Sequence, residues 1–497
     1  MKHMLKLAII FVSLLVLSLI TLLLFMSKKL DIKTQAKNAY IYFYPLVQMD
    51  RLKHDHISKH APVNKFKHYQ KLLTYKDRDV VSPNNDTLYS IAWLDLKKEP
   101  LILHVPDTKG RYYVIQLNDA YTNNFKNIGS RTTGTKENYF ALIGPNFKGD
   151  LPDNIKKIYC PTNMVWLLGR TLVDGKKDMP NVIKIQKQYT LTPWSRYQWD
   201  FIDNNEYETW KPSSSVYPDF TKDPIEFWKK AVLLVQDNPT PKEHEKYFSK
   251  FNILGITKQV FNPTLISEKA ARKMFQVAMS GPDKLKTMLK QWQSGLKNIN
   301  NWLLNTKTIG TYGDNFDDRA IVALGYIGAL VPQEAVYPIC KKDKAGKILT
   351  GKNKYTIHFD KNNFPPVKAF WSITMYNAKN FFLVKNPIER YSIGNRTPEI
   401  QKNPDGSLDI FIQHEKPTDL KQLANWLPAP QGEFYLILRM YNPSKEVIEG
   451  KYEIPPVIKQ KKPDLLASLC DKLPISTPTS CLKPPSTDIM LCRVHHT

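Results

Sequence analysis

The candidate chemistry of this chain starts with its arginines, because the sequence otherwise strongly prefers lysine. It has 12 arginines and 59 lysines. Lysine suffices for a solvated charge, whereas the planar guanidinium fork pairs bidentately with carboxylate or phosphate. Arg131, in a turn-like Arg-Thr-Thr-Gly, is the first choice for a ligand contact. The same fork also serves buried or interdomain ion pairs, and the sequence leaves both interpretations open. The candidate substrate-binding arginines are Arg131, Arg170, Arg319 and Arg396.

Two aspartates and a histidine are the candidate catalytic groups. Asp86 follows Asn84-Asn85 just before a strand and could act as general acid or base, with Asn84 as an orienting amide. Asp119 could supply a second carboxylate, and two carboxylates in one pocket would suit glycoside hydrolysis. His68 could support them or fill an aromatic packing position. The alternative for Asn84 and Asp86 is that their side chains bond nearby backbone in a turn.

The remaining chemical motifs are weak. His54, His56 and His60 have a spacing that a metal could use, but they lie in a charged, exposed-looking stretch, so no metal site is predicted and the cofactor is unknown. Tryptophans in or near strands could stack on sugar rings, although core packing is the commoner role. The chain has no GxSxG, HExxH, Walker or Rossmann motif, which argues against standard serine esterases, zincins and nucleotide-binding enzymes.

The charge and composition bound the class of protein. A formal net charge of +25 with 42% hydrophobic residues indicates folded domains with a basic surface. The lysines are scattered rather than arranged in a stripe with aromatics, which argues against a nucleic-acid partner. Cys160 and Cys340 lie in apolar contexts and are predicted to be buried thiols. Three further cysteines lie in a Pro-rich tail, where one disulfide is conceivable in an oxidising compartment.

The N-terminus predicts a membrane anchor. Residues 7–26 form a twenty-residue stretch without a charge, about the length that crosses a hydrocarbon core. It lacks the small-residue exit of a cleaved signal peptide, which favours an uncleaved signal anchor. Lysines flank it on both sides, so charge does not fix the orientation. We predict a single-pass anchor with the body outside the cytoplasm, periplasmic in a Gram-negative cell.

The rest of the chain alternates between strand-rich and helical stretches. Helical spacing runs from Asp31 to about Lys53, with Pro45 expected to kink or end the helix. Short strands bounded by turn residues follow from about residue 80 to 189. Helices are predicted from 219 to about 306, with one ending at Met279 and the next beginning at Pro282. Strands return from Tyr355, and a Pro-, Lys- and Ser-rich tail follows residue 456.

Two stretches resemble a known pair of domains of unknown function, families 1254 and 1214, which occur together in bacteria and some large DNA viruses. The first covers 61–193 and contains VVSPNNDTLYSIAWLDLKKEP and VWLLGRT. The second covers about 319–456 and contains PPVKAFWSITMY, NPIERYSIGNR, DGSLDIFIQ, NWLPAPQGEF and LRMYNP. Eight of the twelve arginines lie inside these stretches: Arg78, Arg111, Arg131, Arg170, Arg319, Arg390, Arg396 and Arg439.

The resemblance implies two β-sandwich-like domains joined by helices, an often exported protein and, for relatives, a suggested hydrolase role. We therefore predict a mostly β, multi-domain α+β protein with two β-sandwich or jelly-roll-like domains and an N-terminal transmembrane helix. The predicted parts are 1–30 (anchor), 31–218 (N-terminal β domain with a leading helix), 219–310 (helical link), 311–456 (C-terminal β domain) and 457–497 (tail).

The sequence leads to two functional hypotheses and leaves open whether the protein is an enzyme. In the first, a small polar or anionic substrate binds between the domains and is hydrolysed, with Arg131 holding the anion and Asp86 or Asp119 moving the proton. In the second, a non-catalytic envelope protein binds glycans or other surface polymers through aromatics and its basic face. The oligomeric state is not indicated by the sequence.

Overall fold

The computed structural model describes residues 13–18, 31–78, 81–197 and 216–461. By its contacts the chain divides into one unit, Met1–Lys459, and a second, Gln460–Thr497. Both β regions and all the helices labelled below belong to the first unit. The predicted tail and its cysteines lie outside the described residues, apart from 457–461.

The N-terminal part has a long helix followed by nine strands. Asp31 caps the first helix by accepting a hydrogen bond from the Lys33 amide at 3.2 Å. In chain order the elements are α1 (Ile32–Lys59), β1 (Lys67–His68), β2 (Thr87–Asp95), β3 (Leu101–Val105), β4 (Tyr113–Asn118), β5 (Asn124–Gly129), β6 (Asn138–Ile143), β7 (Lys156–Tyr159), β8 (Met164–Leu172), α2 (Met179–Gln186), β9 (Thr190–Pro193) and α3 (Trp194–Tyr197).

The remainder has three helices and then a second set of strands. In chain order these are α4 (Pro224–Asp237), α5 (Glu245–Phe251), α6 (Glu268–Ser294), β10 (Lys297–Ile299), β11 (Trp302–Leu304), α7 (Phe316–Gly325), β12 (Ala335–Val336), β13 (Ile339–Cys340), β14 (Tyr355–Phe359), β15 (Val367–Asn377), β16 (Ser392–Gly394), β17 (Leu408–Gln413), α8 (Leu420–Ala424), β18 (Trp426–Pro428), β19 (Phe434–Pro443), α9 (Lys445–Ile448) and β20 (Ile458–Lys459).

Each β region is a two-sheet sandwich. The N-terminal sandwich packs a five-stranded sheet, β1-β2-β8-β4-β5, on a four-stranded sheet, β7-β6-β3-β9. Its core alternates along the strands, as in Ala92 and Leu94 of β2 against Leu101 and Leu103 of β3. The C-terminal sandwich packs the sheet β10-β11-β13-β19-β15-β16, with β12 also paired to β19, on the sheet β18-β17-β14-β20.

The helices form a third cluster around α1, which packs against α4, α6 and α7. Pro45 lies inside α1 and does not end it. The predicted helix break at Pro282 is also absent, because α6 runs continuously from Glu268 to Ser294 with Pro282 inside. Close packing on α1 stabilises this stretch: a Cβ on Gly281 would lie 2.2 Å from the Tyr40 ring.

Strands β10 and β11 replace the end of the helix that was predicted to reach residue 304. Asn300 and Asn301 both have left-handed backbone, with φ of 50° and 68°. Two such residues make a tight type I′ hairpin turn, for which Asn is well suited. The hairpin joins the larger C-terminal sheet, so that sheet begins earlier in the chain than the predicted boundary at 311.

The fold-class prediction needs one correction. The protein is mostly β with several sheets and helices, but none of the helices within the described ranges is long and apolar enough to cross a bilayer. The long helices α1 and α6 carry many charged residues, and of segment 7–26 only the helical residues 13–18 are described. The predicted N-terminal transmembrane helix is therefore not supported, and most of its segment lies outside the described residues.

Candidate functional site

Two sheets turn their outer faces toward each other between the sandwiches. On β2 and β8, Tyr89 pairs with Arg170, so both side chains leave the same face. That face lies opposite the one that fills the N-terminal core. On β19, Arg439 and Tyr441 alternate with core residues and also point out of their sandwich. The Tyr112 ring crosses between the domains, with its centroid 5.6 Å from that of Tyr441. We call the interface where these two faces meet the interdomain cleft.

Arg170 is the cationic group of the N-terminal face. It is 7% exposed. Its Nη1 donates to Gln116 Oε1 at 2.8 Å and its Nη2 to the Gly328 carbonyl at 3.1 Å. Its guanidinium carbon lies 5.4 Å from the centre of the Tyr89 ring. Gln116 is fully buried and is itself fixed by a bond from its Nε2 to the Ala329 carbonyl. Among the described residues, no carboxylate forms an ion pair with Arg170.

Arg439 is the matching group of the C-terminal face and is 5% exposed. Its Nη1 donates to Thr374 Oγ1 at 2.8 Å, and its Nη2 to the Tyr376 hydroxyl at 2.7 Å and the Ser82 carbonyl at 3.2 Å. Asp86 is close enough to interact with it electrostatically but does not pair with it. Arg439 thus also forms no ion pair within the described part of the chain.

Three tyrosines lie close to the two arginines. Tyr89 and Tyr337 are half-buried and Tyr441 is buried. Tyr337 interacts electrostatically with both Arg170 and Arg439. Burial raises the pKa of Tyr337 to about 12 and that of Tyr441 well above its usual value. These two hydroxyls therefore stay protonated at neutral pH and can donate hydrogen bonds.

The Asn-Asn-Asp motif lies at the edge of this cleft. Asn84 accepts the Asp86 backbone amide at 2.6 Å and donates to the Tyr441 hydroxyl at 2.8 Å. Asp86 accepts the Ser372 hydroxyl at 2.7 Å and lies 3.5 Å from Arg396 Nη2. The structure therefore brings Asn84, Asp86 and Arg396 together beside Arg439. It also gives Asn84 the turn-forming bond that was its alternative role.

Arg131 and Glu334 form an interdomain ion pair near the other edge. Arg131 Nε donates to Glu334 Oε2 at 2.6 Å, and the Tyr112 hydroxyl donates to the other oxygen at 2.7 Å. Glu334 is 1% exposed and Arg131 is 27% exposed. The first-choice ligand contact therefore already has a carboxylate partner, which matches the ion-pair alternative.

Asp119 and Arg319 lie away from the cleft, next to the helices. Arg319 of α7 is fully buried, donates to the Tyr42 carbonyl at 3.1 Å and interacts electrostatically with Asp119. Burial raises the pKa of Asp119, although its carboxylate accepts bonds from Tyr121 and Asn123.

The two candidate carboxylates are too far apart for paired chemistry. Thr87, next to Asp86, pairs with Leu172 of β8, and Asn118, next to Asp119, pairs with Trp166 of the same strand. The two pairing positions are thus six residues apart along β8. Six strand residues span about 20 Å. Two-carboxylate glycosidases need about 5–10 Å, so Asp86 and Asp119 do not form such a site.

His68 is on the wrong face of the sheet to support Asp86. It pairs with Ser90 across β1 and β2, and its Nδ1 lies 2.9 Å from Ser90 Oγ. Ser90 is the neighbour of Tyr89 in β2, so its side chain points away from the cleft. Burial lowers the pKa of His68 to about 4.

The lowered pKa of His68 predicts acid sensitivity. Because the folded pKa of about 4 is below the ordinary 6.5, the unfolded chain takes up the proton first as pH falls. The stability that neutral His68 contributes above pH 6.5 is lost as pH falls towards 4. Between pH 7 and pH 5 the wild type is expected to lose about 2 kcal/mol more than His68→Gln. Urea unfolding at both pH values measures this, and equal losses in the two proteins would contradict it.

The other sequence candidates do not form a site. Of the tryptophans, Trp93, Trp371 and Trp426 are buried, and Trp166 and Trp194 are half-buried against other apolar residues. Over the described ranges no group of three or more His, Cys, Asp or Glu side chains could hold a metal ion. The prediction that Cys160 and Cys340 are buried thiols is confirmed.

Sequence reasoning did not single out the tyrosines or Gln116 of the cleft. The sequence of one strand nevertheless indicates some of these residues. In the strand Phe434–Pro443, Tyr435, Arg439 and Tyr441 stand at even spacings and so share one face. Polar and aromatic side chains on one face of a strand, opposite an apolar face that runs from Phe434 to Met440, indicate a second contact surface.

Comparison with known proteins confirms both family resemblances. The family model for a protein of unknown function designated DUF1254 matches residues 63–193, and that designated DUF1214 matches 334–445. The crystal structure of the VPA0106 protein from Vibrio parahaemolyticus is similar, with a TM-score of 0.68 and 25% identity over 86% of this chain and 100% of that one.

Two further comparisons add little. A putative uncharacterized protein from Burkholderia cenocepacia aligns with a TM-score of 0.39 and 12% identity over 88% of this chain and 96% of its own. No curated protein matches the chain.

Proposed function

We propose that this chain, which carries both domains of unknown function, binds a small anionic ligand in the cleft between them. The observation that carries the proposal is the pair Arg170 and Arg439. Each is more than nine-tenths buried, each comes from a different domain, and neither forms an ion pair with a described carboxylate. Burying an uncompensated charge costs several kcal/mol, so stability alone does not account for two of them.

The lining of the cleft indicates what kind of ligand fits. Guanidinium groups and protonated tyrosine hydroxyls such as Tyr337 and Tyr441 supply hydrogen-bond donors and positive charge. A ligand that satisfies them is rich in acceptors and negatively charged, as carboxylates and phosphates are. The buried setting strengthens these bonds relative to those in water.

The hydrolytic step predicted from the sequence stays a prediction. Asp86, the carboxylate that interacts electrostatically with Arg439, is held by Ser372 and lies beside Arg396. The glycan-binding alternative also stays a prediction, and Trp93, Trp371 and Trp426 are buried and so do not contribute a stacking surface to it. A location outside the cytoplasm is likewise a prediction from the sequence alone.

Calorimetric titration of the purified protein tests the proposal. Acetate, benzoate, citrate and inorganic phosphate would each be added at constant ionic strength, with chloride as the balancing anion. At least one of these anions is expected to bind. Arg170→Gln is expected to weaken its affinity about 100-fold, because the variant loses a buried charge-assisted contact. Arg272→Gln is the matched control, because Arg272 is exposed and, among the described residues, pairs only with exposed Glu268.

Two outcomes would overturn the proposal. One is that none of the four anions binds. The other is that Arg170→Gln binds as tightly as wild type and as the Arg272→Gln control, which would place the bound anion elsewhere.

A further inference from the structure

One short segment takes up donors in the cleft that an anion would need. We call residues 82–86 the strap; they precede β2 and lie across the outer face of the C-terminal sheet. The Ser82 carbonyl accepts from Arg439 Nη2 at 3.2 Å, and the Pro83 carbonyl accepts from the Tyr376 hydroxyl at 2.6 Å. Asn84 Nδ2 donates to the Tyr441 hydroxyl oxygen, and this bond does not use the Tyr441 proton. A ligand of Arg439 would therefore compete with the strap for the same Arg439 hydrogen-bond donor.

The beginning of the strap is held in an unfavourable backbone conformation. Ser82 has φ of 49°, and its amide donates at 2.8 Å to the carbonyl of Phe381, which has φ of 64°. Side chains other than glycine rarely occupy this left-handed region, and a bulky residue such as phenylalanine is a marked exception. Conformations of this kind persist only where surrounding contacts hold them, and they gather at binding and switch sites. The contact that helps hold Ser82 is its hydroxyl, 2.7 Å from that of Tyr435.

The end of the strap is fixed by several bonds. The backbone amide of Asp86 donates to the Asn84 side chain, and the backbone carbonyl of Asp86 accepts from the Val173 amide at 3.1 Å. The Asp86 carboxylate accepts from the Ser372 hydroxyl. Strand β2 then begins at Thr87. The strap is thus strained where it touches Arg439 and anchored where it enters the sheet.

We propose that the strap is a built-in competitor that regulates the anion site. This inference rests on the proposed function of the cleft. An anion that binds Arg439 takes over the Nη2–H that the Ser82 carbonyl now accepts. Ser82 then leaves the left-handed conformation, while Asp86 stays anchored. The exchange replaces one hydrogen bond by another and breaks no covalent bond. Its consequence is that weakening the strap tightens anion binding.

The variant Ser82→Ala tests this directly. Alanine keeps the unfavourable backbone conformation but removes the hydroxyl contact with Tyr435. It is expected to bind citrate about fivefold more tightly than wild type, in proportion to the lost hydrogen bond. Ser249→Ala is the matched control, since Ser249 is exposed and, within the described part of the chain, its hydroxyl bonds only to the Lys246 carbonyl. Hydrogen exchange of the wild-type protein adds a second readout, with faster exchange expected at the strap amides when citrate is added.

The outcomes separate the strap from the cleft. Citrate binding that is unchanged or weaker in Ser82→Ala, with slower exchange of the strap in the wild-type complex, would overturn the strap and leave the anion site intact. If neither wild type nor variant binds citrate, the inference about the strap is overturned. Binding of the other three anions then tests whether the cleft is an anion site. If Ser82→Ala does not fold, the exchange measurement on wild type decides alone.

Discussion

Alanine in place of Arg131 is expected to destabilise the protein by about 3 kcal/mol, because it leaves a buried carboxylate without its cation. Glu334 is 1% exposed and its two oxygens are taken by Arg131 and Tyr112. Without the guanidinium, the Tyr112 hydroxyl alone faces the charge. The pair also joins the two sandwiches, so its loss weakens their packing. The midpoint and free energy of urea unfolding measure the effect.

A second substitution distinguishes loss of a charge pair from loss of a contact. Glu334→Gln keeps an oxygen that can accept from Tyr112 but removes the negative charge. In the Arg131→Ala background it is expected to restore about half of the lost stability, since the unpaired charge is the costly element. A loss below about 1 kcal/mol for Arg131→Ala, or no recovery in the double variant, would show that the pair behaves as a surface salt bridge.

The rarity of arginine singled out a set of residues without assigning their roles. Arg170, Arg396 and Arg439 lie in or beside the cleft, yet Arg111 pairs with Asp178 and Arg131 with Glu334. The presence of arginine indicates only that a planar guanidinium group is needed at that position. Whether its partner is a carboxylate of the chain or a ligand depends on contacts between residues more than 200 positions apart, such as Arg131 and Glu334.

The other differences between the prediction and the structure depend on strand pairing and on packing. The alternating strands and both domains were predictable from local pattern and motif. The side of the sheet that His68 occupies is set by its pairing with Ser90, and a shift of one residue would have turned it into the cleft. The hairpin at Asn300 and Asn301 carried a readable turn signal. The continuity of α6 through Pro282 depends on packing against Tyr40, which no local pattern contains.

Gly394→Ala is expected to cost more than about 4 kcal/mol, the largest effect of any substitution considered. Gly394 is in β16, paired with Ser372 of β15. A Cβ there would lie 2.1 Å from the Trp371 carbonyl oxygen and 2.8 Å from the Ser372 Cα. Both are backbone atoms in a sheet, so neither can yield without moving a strand. The close approach, and not the backbone angle, is what requires glycine.

The displacement would reach the cleft as well as the core. Asn395, the next residue, accepts the Trp371 amide at 3.0 Å, and Arg396 lies beside Asp86. Moving β16 away from β15 pulls both from their partners and releases the anchored end of the strap. We therefore expect Gly394→Ala to lower the thermal midpoint and to speed hydrogen exchange at Asp86.

Gly432 is the matched control for this variant. Nothing lies within 4 Å of a Cβ built on it, so Gly432→Ala is expected to change stability by less than about 1 kcal/mol. Thermal and urea unfolding of the two variants side by side make the comparison. If Gly394→Ala were as stable as Gly432→Ala, β16 would have room to shift. Contact between β16 and β15 would then not be what holds Arg396 against Asp86.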